Sequence, residues 1–407
     1  MPLFAALGLR HILTRHGTPM NHDKSQINPF RYGREVELLV DRADEVARIV
    51  RIGENCGTLF FIGPRRYGKT SILRVADAAL TKAGVVVLRY DAEAFENIGL
   101  LAAALMTGAL RKYASALDRA QAAAKRFFAT LKPSLSIDPV DGKITVSMGL
   151  DPTAHNTQVP LLTDVLNGIE RLAAADKRKA LVVLDEFQQV VSEAGEKTER
   201  QIRAAVQTHH DVGYVFAGSS TRMMTDMISS SARAFWNLGD QLHLGPIPRR
   251  DFIPFLRTGL ESTGATVAEE AVLRILDLSE DVPYNVQQLA SQCFTLLRDG
   301  GGRHLSAQMV DEALAQVIAM QHVSYLQRWL SLSVAQKRTL KIVIEERGDF
   351  QLAEAARRHG LPRTTMQRAL QILEKEHFLR QDFARTGMVW RLEDPFLRGW
   401  LIDFQAQ

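Results

Sequence analysis

Short apolar runs alternate with longer stretches of helical spacing through the first 250 or so residues. Leu59-Phe60-Phe61-Ile62, Val85 to Asp91, Ala180 to Asp185, Gly213 to Gly218 and Gln241 to Leu244 read as strands, mostly apolar and rich in β-branched or aromatic side chains. Runs apolar on both faces belong to a sheet buried on both sides, which is the habit of parallel sheets. Helical spacing fills the intervals: Asp41 to Arg51 with Asp41 as its cap, the stretch from Thr70, Ile98 to Leu131, and Val159 to Ala175. Strands alternating with helices predict a parallel sheet covered by helices. Ser134 to Met148 alternates instead, with Asp141-Gly142 between its halves, and predicts a β-hairpin. Its simplest role is an insertion that caps the sheet edge.

From Arg250 the pattern is all helical. Asp251 to Ser262, Val267 to Leu278, Val286 to Arg298 and Ser306 to Met320 follow one another, and the block breaks around Leu330-Ser331-Leu332-Ser333. Three further helices are expected: Val334 to Glu346, Leu352 to His359 and Arg363 to His377. Two short strands follow them, Phe378 to Phe383 and Met388 to Leu392. Three helices and a hairpin make a winged-helix pattern.

Composition narrows the class without naming a function. The 407 residues are 46% hydrophobic and 24% charged, as in globular proteins of more than one domain. No apolar run approaches a membrane span. Cys56 and Cys293 are the two cysteines, enough for neither a metal site nor a disulfide framework. Leu3 to Leu13 is apolar but holds Arg10 and His11 and precedes Arg15, the reverse of a secretory signal. We read residues 1–27 as a tail, with Met20 as an alternative start, and expect a cytoplasmic protein. The net charge of +4 permits anionic partners without demanding nucleic acid.

Chemistry enters at Gly63-Pro64-Arg65-Arg66-Tyr67-Gly68-Lys69-Thr70, which fits the phosphate-loop pattern G-x-x-x-x-G-K-[ST]. A strand runs into it and a helix leaves it. Backbone N–H groups and the helix N-terminus would wrap the phosphates. Lys69 would reach the β- and γ-phosphates, and Thr70 would ligate Mg²⁺. The third strand ends in Asp185-Glu186. Asp185 would hold Mg²⁺ through water, and Glu186 would polarise the attacking water. Ser219 and Ser220 follow the fourth strand, where open α/β sheets bind ligands. The Ser219 hydroxyl would sense the γ-phosphate or the attacking water, and a serine here would equally cap the next helix, two roles that are compatible.

These residues carry a resemblance. The loop with Ser71, Leu184-Asp185-Glu186-Phe187-Gln188 and Phe216-Ala217-Gly218-Ser219-Ser220 resemble the archaeal-type ATPase family, in the STAND branch of the AAA+-like P-loop NTPases. The Arg-Arg-Tyr interior is particular to that family. Leu39-Val40-Asp41-Arg42-Ala43-Asp44-Glu45 is similar to its N-terminal signature, which lies against the adenine. Asp281-Val282-Pro283-Tyr284-Asn285 is similar to its Gly-x-Pro motif, with Asp281 where glycine is common. There Pro283 would open a lid helix and pack on the nucleotide; an ordinary first-turn proline is the alternative. The ending Asp394-Pro395-Phe396 with Trp400 also looks like the family's. For an arginine finger the nearest residue is Arg233, although a solvated helix residue is the favoured reading of it. The resemblance, not the residue chemistry, supplies ATP over GTP.

The expected fold is therefore α/β: a P-loop NTPase parallel sheet (28–248, hairpin insertion near 133–150), a helical lid (249–330) and a C-terminal winged helix (331–407). The resemblance implies a switch that binds ATP and Mg²⁺, hydrolyses slowly and changes its arrangement. Arg363, Thr364, Gln367 and Arg368 would face DNA if the winged helix bound it. From Ser331 onward thirteen Lys and Arg meet ten Asp and Glu, a thin footprint for phosphate neutralisation. Packing as a lock is thus favoured over DNA contact. A protein partner recruited by the hairpin, or self-assembly, is a third reading.

Overall fold

The computed structural model describes residues 27–33, 40–113, 122–123, 126, 133–137, 144–148, 158–300, 303–384 and 387–406. The tail with Leu3 to Leu13 and Met20, Leu39 of the signature, most of 114–132 and the Asp141-Gly142 turn lie outside the described residues. The chain forms two compact units. Among the described residues, one holds those within Arg42–Pro64 and Lys69–Leu244; the other holds those before Arg42, Arg65–Gly68 and those from Gly245 onward.

The first unit is built on five parallel strands: β1 (Thr58–Ile62), β2 (Val86–Asp91), β5 (Ala180–Asp185), β6 (Val212–Gly218) and β7 (Asp240–His243). Their order is β2-β5-β6-β1-β7. The expected strands recur within a residue or so of these bounds. Every residue of β5 and β6 is buried, which is why neither alternates in polarity. Register pairs Ile62 with Gly218 and Leu184 with Phe216, so β1, β5 and β6 end along one edge. Beneath that edge Phe60, Phe187, Phe216 and Phe235 pack with ring centroids 4.4 to 5.8 Å apart. Each fully buried ring contributes about 1.5–3 kcal/mol, so the strand tips stand on a stiff base.

Helices α1 (Ala43–Asn55), α2 (Lys69–Lys82), α3 (Ile98–Tyr113), α4 (Gln158–Asp176), α5 (Gln188–Ala194), α6 (Glu196–Val206) and α7 (Thr221–Ser229) cover the sheet. The start of α1 corrects one expectation. Arg42 holds the N-cap position and makes no side-chain cap, while Asp41 sits at φ 44°. A left-handed residue there leaves the cap to the next position. The hairpin forms as β3 (Pro133–Ile137) and β4 (Ile144–Met148), antiparallel. It makes its own two-stranded sheet, with β4 beside α3, and does not join the five strands.

In the second unit α8 (Arg249–Glu261), α9 (Glu269–Leu278), α10 (Pro283–Asp299) and α11 (Ala307–Ser331) share a core. Phe30 enters it edge-on to Phe255 and Phe294. A two-residue parallel pair, β8 (Thr266–Val267) with β9 (His304–Leu305), was not expected. The winged helix is α12 (Val334–Glu345), α13 (Leu352–Arg358) and α14 (Arg363–Lys375), then antiparallel β10 (Leu379–Ala384) and β11 (Gly387–Leu392). A last helix, α15 (Phe396–Ala406), lies against α11.

Candidate functional site

The site begins where β1 runs out. Gly63 donates its N–H to Gly218 O at 3.2 Å, and Leu244 N donates to Ile62 O at 2.7 Å. A Cβ on Gly63 would lie 2.6 Å from Leu244 Cβ, so nothing larger than glycine fits. Gly68, at φ +90°, supplies a backbone that L side chains rarely adopt. Lys69 opens α2 with 6% of its surface exposed. Its ammonium donates to Gly63 O at 2.8 Å and Pro64 O at 3.3 Å. Ser71 is buried beside it, whereas Thr70 is exposed at the helix N-terminus.

The acids at the tip of β5 meet that lysine. Asp185 is 6% exposed, and burial pushes its carboxyl above the usual range against the pull of Lys69. Its Oδ2 lies 3.5 Å from Thr70 Oγ1, and its Oδ1 accepts from Glu186 N. A hydroxyl and a carboxylate are hard oxygen donors of the kind Mg²⁺ takes, with water and phosphate completing its octahedron. Among the described residues no group of three or more His, Cys, Asp or Glu could hold a metal by itself.

Glu186 turns the opposite way. Burial acts to raise it, but Lys69 and hydrogen bonds from Ser219 and Gln188 outweigh burial and hold it below the usual carboxylate range. Its Oε2 accepts from Ser219 N at 3.1 Å, Ser219 Oγ at 2.6 Å and Gln188 Nε2. Its backbone is left-handed at φ 49°, a conformation that costs an L-residue about 1–2 kcal/mol. Such strain persists where the surroundings over-determine it, and three donors on one oxygen do so. The serine-cap reading is corrected here. Ser220, at the N-cap of α7, makes no side-chain cap, and the Ser219 hydroxyl is spent on Glu186.

Other expected site residues have other partners. Arg42 is buried and pairs with Glu45 at 2.9 Å. Arg233 lies in a turn, not a helix, and makes a two-point ion pair with Glu199, whose side chain is fully buried. It is therefore no solvated helix residue. Pro283 is buried in the first turn of α10. Asp281, the departure from glycine, takes φ 56° and is held by Arg249 at 2.8 and 3.1 Å. An aspartate thus adopts the backbone that glycine would favour.

The loop's interior groups with the second unit. Arg65 is half-buried. The Arg66 guanidinium is 3.0 Å from Asp394 and 4.7 Å from the Tyr284 ring centroid. The Tyr67 hydroxyl accepts from Arg380 at 3.3 Å. Reading the sequence missed that Gln188 would hold Glu186, and that Asp394 and Tyr284 would hold Arg66. Gln188 stood two places after the acid pair, yet nothing local showed where its amide would go.

Comparison with known proteins bears on the fold. Residues 338–382 match the IclR helix-turn-helix domain. The chain is similar in structure to a Walker-type ATPase of Pyrococcus abyssi, with 17% identity and TM-score 0.58, covering 91% of this chain and 98% of that one. The ORC1 protein of Aeropyrum pernix in complex with DNA follows at 14% identity and TM-score 0.47, covering 90% and 94%. The Thermotoga maritima RuvB Holliday junction branch migration motor has 12% identity and TM-score 0.41, covering 88% and 95%. No curated protein matches the chain. At 17% identity the likeness to the Pyrococcus abyssi protein concerns fold alone, and with the helix-turn-helix match it agrees with an α/β P-loop NTPase parallel sheet and a C-terminal winged helix. Among the described residues no helix is long and apolar enough to cross a membrane.

Proposed function

We propose that this chain is an ATP-binding regulatory ATPase of the archaeal-type, STAND-branch kind. In this reading it is a nucleotide-dependent switch that hydrolyses ATP slowly. The observation that carries the reading is the Lys69 ammonium, buried on the carbonyls of Gly63 and Pro64 with Asp185 and Glu186 in its field. A lysine held at the mouth of a strand–loop–helix turn exchanges carbonyl partners for phosphate oxygens at little geometric cost. Lys69 then neutralises the β- and γ-phosphates, and the N–H groups of the loop and of Ser71 bind their oxygens. Thr70, and Asp185 through water, would hold Mg²⁺, which would supply charge neutralisation. Glu186 orients the attacking water, and Ser219 and Gln188 orient Glu186.

Slow turnover follows from the same contacts. A carboxylate held below its usual range by Lys69 and three hydrogen-bond donors is a weaker base. Arg233 would have to leave a fully buried Glu199 to act as a finger, and an unpaired buried charge costs about 3–5 kcal/mol. The Glu186→Gln variant tests the assignment. ATP should bind as in the parent chain, while single-turnover hydrolysis falls about a hundredfold or more. Hydrolysis at the parent rate removes Glu186 from the mechanism.

A second reading concerns DNA, favoured by the helix-turn-helix match and by α14. Arg363, Thr364, Gln367 and Arg368 are exposed on that helix, the placement a recognition helix requires. We propose that this face contacts a duplex. Retardation of a random duplex at low salt should weaken steeply as salt rises, and Arg363→Ala with Arg368→Ala should weaken it further. No retardation at low salt, with or without ATP, ends this reading.

A further inference from the structure

Within Gly63–Thr70, Arg66 is the non-glycine residue with a left-handed backbone, at φ 69°. Three contacts fix it. Its guanidinium pairs with Asp394 at 3.0 Å and lies over the Tyr284 ring at 4.7 Å, and its carbonyl accepts from Tyr284 N at 3.3 Å. Asp394 is an anchor built independently of the loop. Its side chain is 4% exposed and accepts from Asn285 Nδ2 at 2.9 Å, Tyr325 OH at 2.9 Å and Phe396 N at 3.1 Å. Next in sequence, Tyr67 is buried with Arg380 over its ring and bonded to its hydroxyl. Two consecutive side chains of the phosphate loop are therefore spent on partners that are not phosphate.

We propose that Asp394 and Tyr284 are positioning residues for the phosphate loop. Through Arg66 they hold the strained turn whose N–H groups receive the phosphates, because strained backbone keeps its shape where several contacts over-determine it. Nucleotide affinity then depends on an aspartate at the close of the winged helix. This rests on the nucleotide-binding reading above. It competes with a simpler role for Arg66, that of a direct phosphate ligand which Asp394 withholds.

The two roles differ in sign. A fluorescent ADP analogue is titrated into the full chain and its Arg66→Ala, Asp394→Asn, Tyr284→Ala and Arg66→Ala/Asp394→Asn variants, with Lys69→Ala as reference. Positioning predicts that Arg66→Ala and Asp394→Asn each weaken binding about tenfold, about 1.4 kcal/mol, and that the double variant is no weaker than either. Tyr284→Ala leaves the ion pair in place and should weaken binding by a smaller factor. Tighter or unchanged binding in Asp394→Asn, beside a loss in Arg66→Ala, makes Arg66 a ligand and overturns the proposal. Lower melting temperatures without nucleotide, at unchanged affinity, reduce the network to a structural one and overturn it too. If these variants bind normally while Lys69→Ala does not, the proposal fails and the nucleotide site stands. If the parent chain binds no nucleotide, both fail.

Discussion

Asp185 and Glu186 are neighbours at one strand tip, yet their surroundings push them opposite ways. Burial dominates at Asp185, while Lys69 and the donors of Ser219 and Gln188 prevail at Glu186. Removing the Ser219 hydroxyl should raise the Glu186 carboxyl, so the acidic limb of the hydrolysis pH profile should move to higher pH in Ser219→Ala. An unmoved limb would show that Glu186 does not set it. His209 carries a separate pH signature. It is buried between Tyr214 OH at 2.6 Å and Asn167 Oδ1 at 2.9 Å, and burial lowers its pKa below the ordinary 6.5. The unfolded chain therefore takes up this proton first as pH falls. The contribution is whole above about pH 6.5 and is lost as pH falls through the folded value. Urea unfolding of the parent and His209→Gln should diverge above that pH and converge below it. Arg233→Ala should cost about 3–5 kcal/mol in the same assay by stranding Glu199. Lost hydrolysis at full stability would instead make Arg233 a finger. At this scale contiguous chemistry was legible, namely the loop and the acid pair. The Ser219–Glu186 and Arg66–Asp394 contacts were not, because no local pattern encodes a partner supplied by a distant segment.

Elements were legible where burial imposes a simple rule. β5 and β6 are buried on both faces and read as plain apolar runs, so their bounds were nearly right. β8 and β9 have two residues each and leave no periodic trace. α11 was read as ending near Met320 but runs to Ser331. Tyr325 and Trp329 are buried there, while Met320, Val323 and Leu330 are exposed, which blurs the apolar face. The break at Ser333 was read correctly and has a physical cause. Ser333 and Gln336 form a reciprocal capping box at the start of α12. Ser333→Ala should cost about 1 kcal/mol in denaturant unfolding. An unchanged midpoint would show that neighbouring packing sets this helix start.

At the scale of the whole chain, fold class followed from the order of runs and motifs, and the structure agrees with it. What the order of runs could not show is the grouping of residues. Arg65–Gly68 groups with the helical and winged-helix residues, although Gly63, Lys69 and the acid pair belong to the sheet unit. A nucleotide-dependent switch is our proposed account of this chain. That account stands on one premise, that the loop holds a nucleotide through Lys69. Titrating labelled ADP into the parent chain and Lys69→Ala tests it most directly. We predict saturable binding to the parent and a loss of at least about tenfold in the variant, the worth of a charge-assisted hydrogen bond to phosphate. Equal affinity in the two proteins would contradict the account.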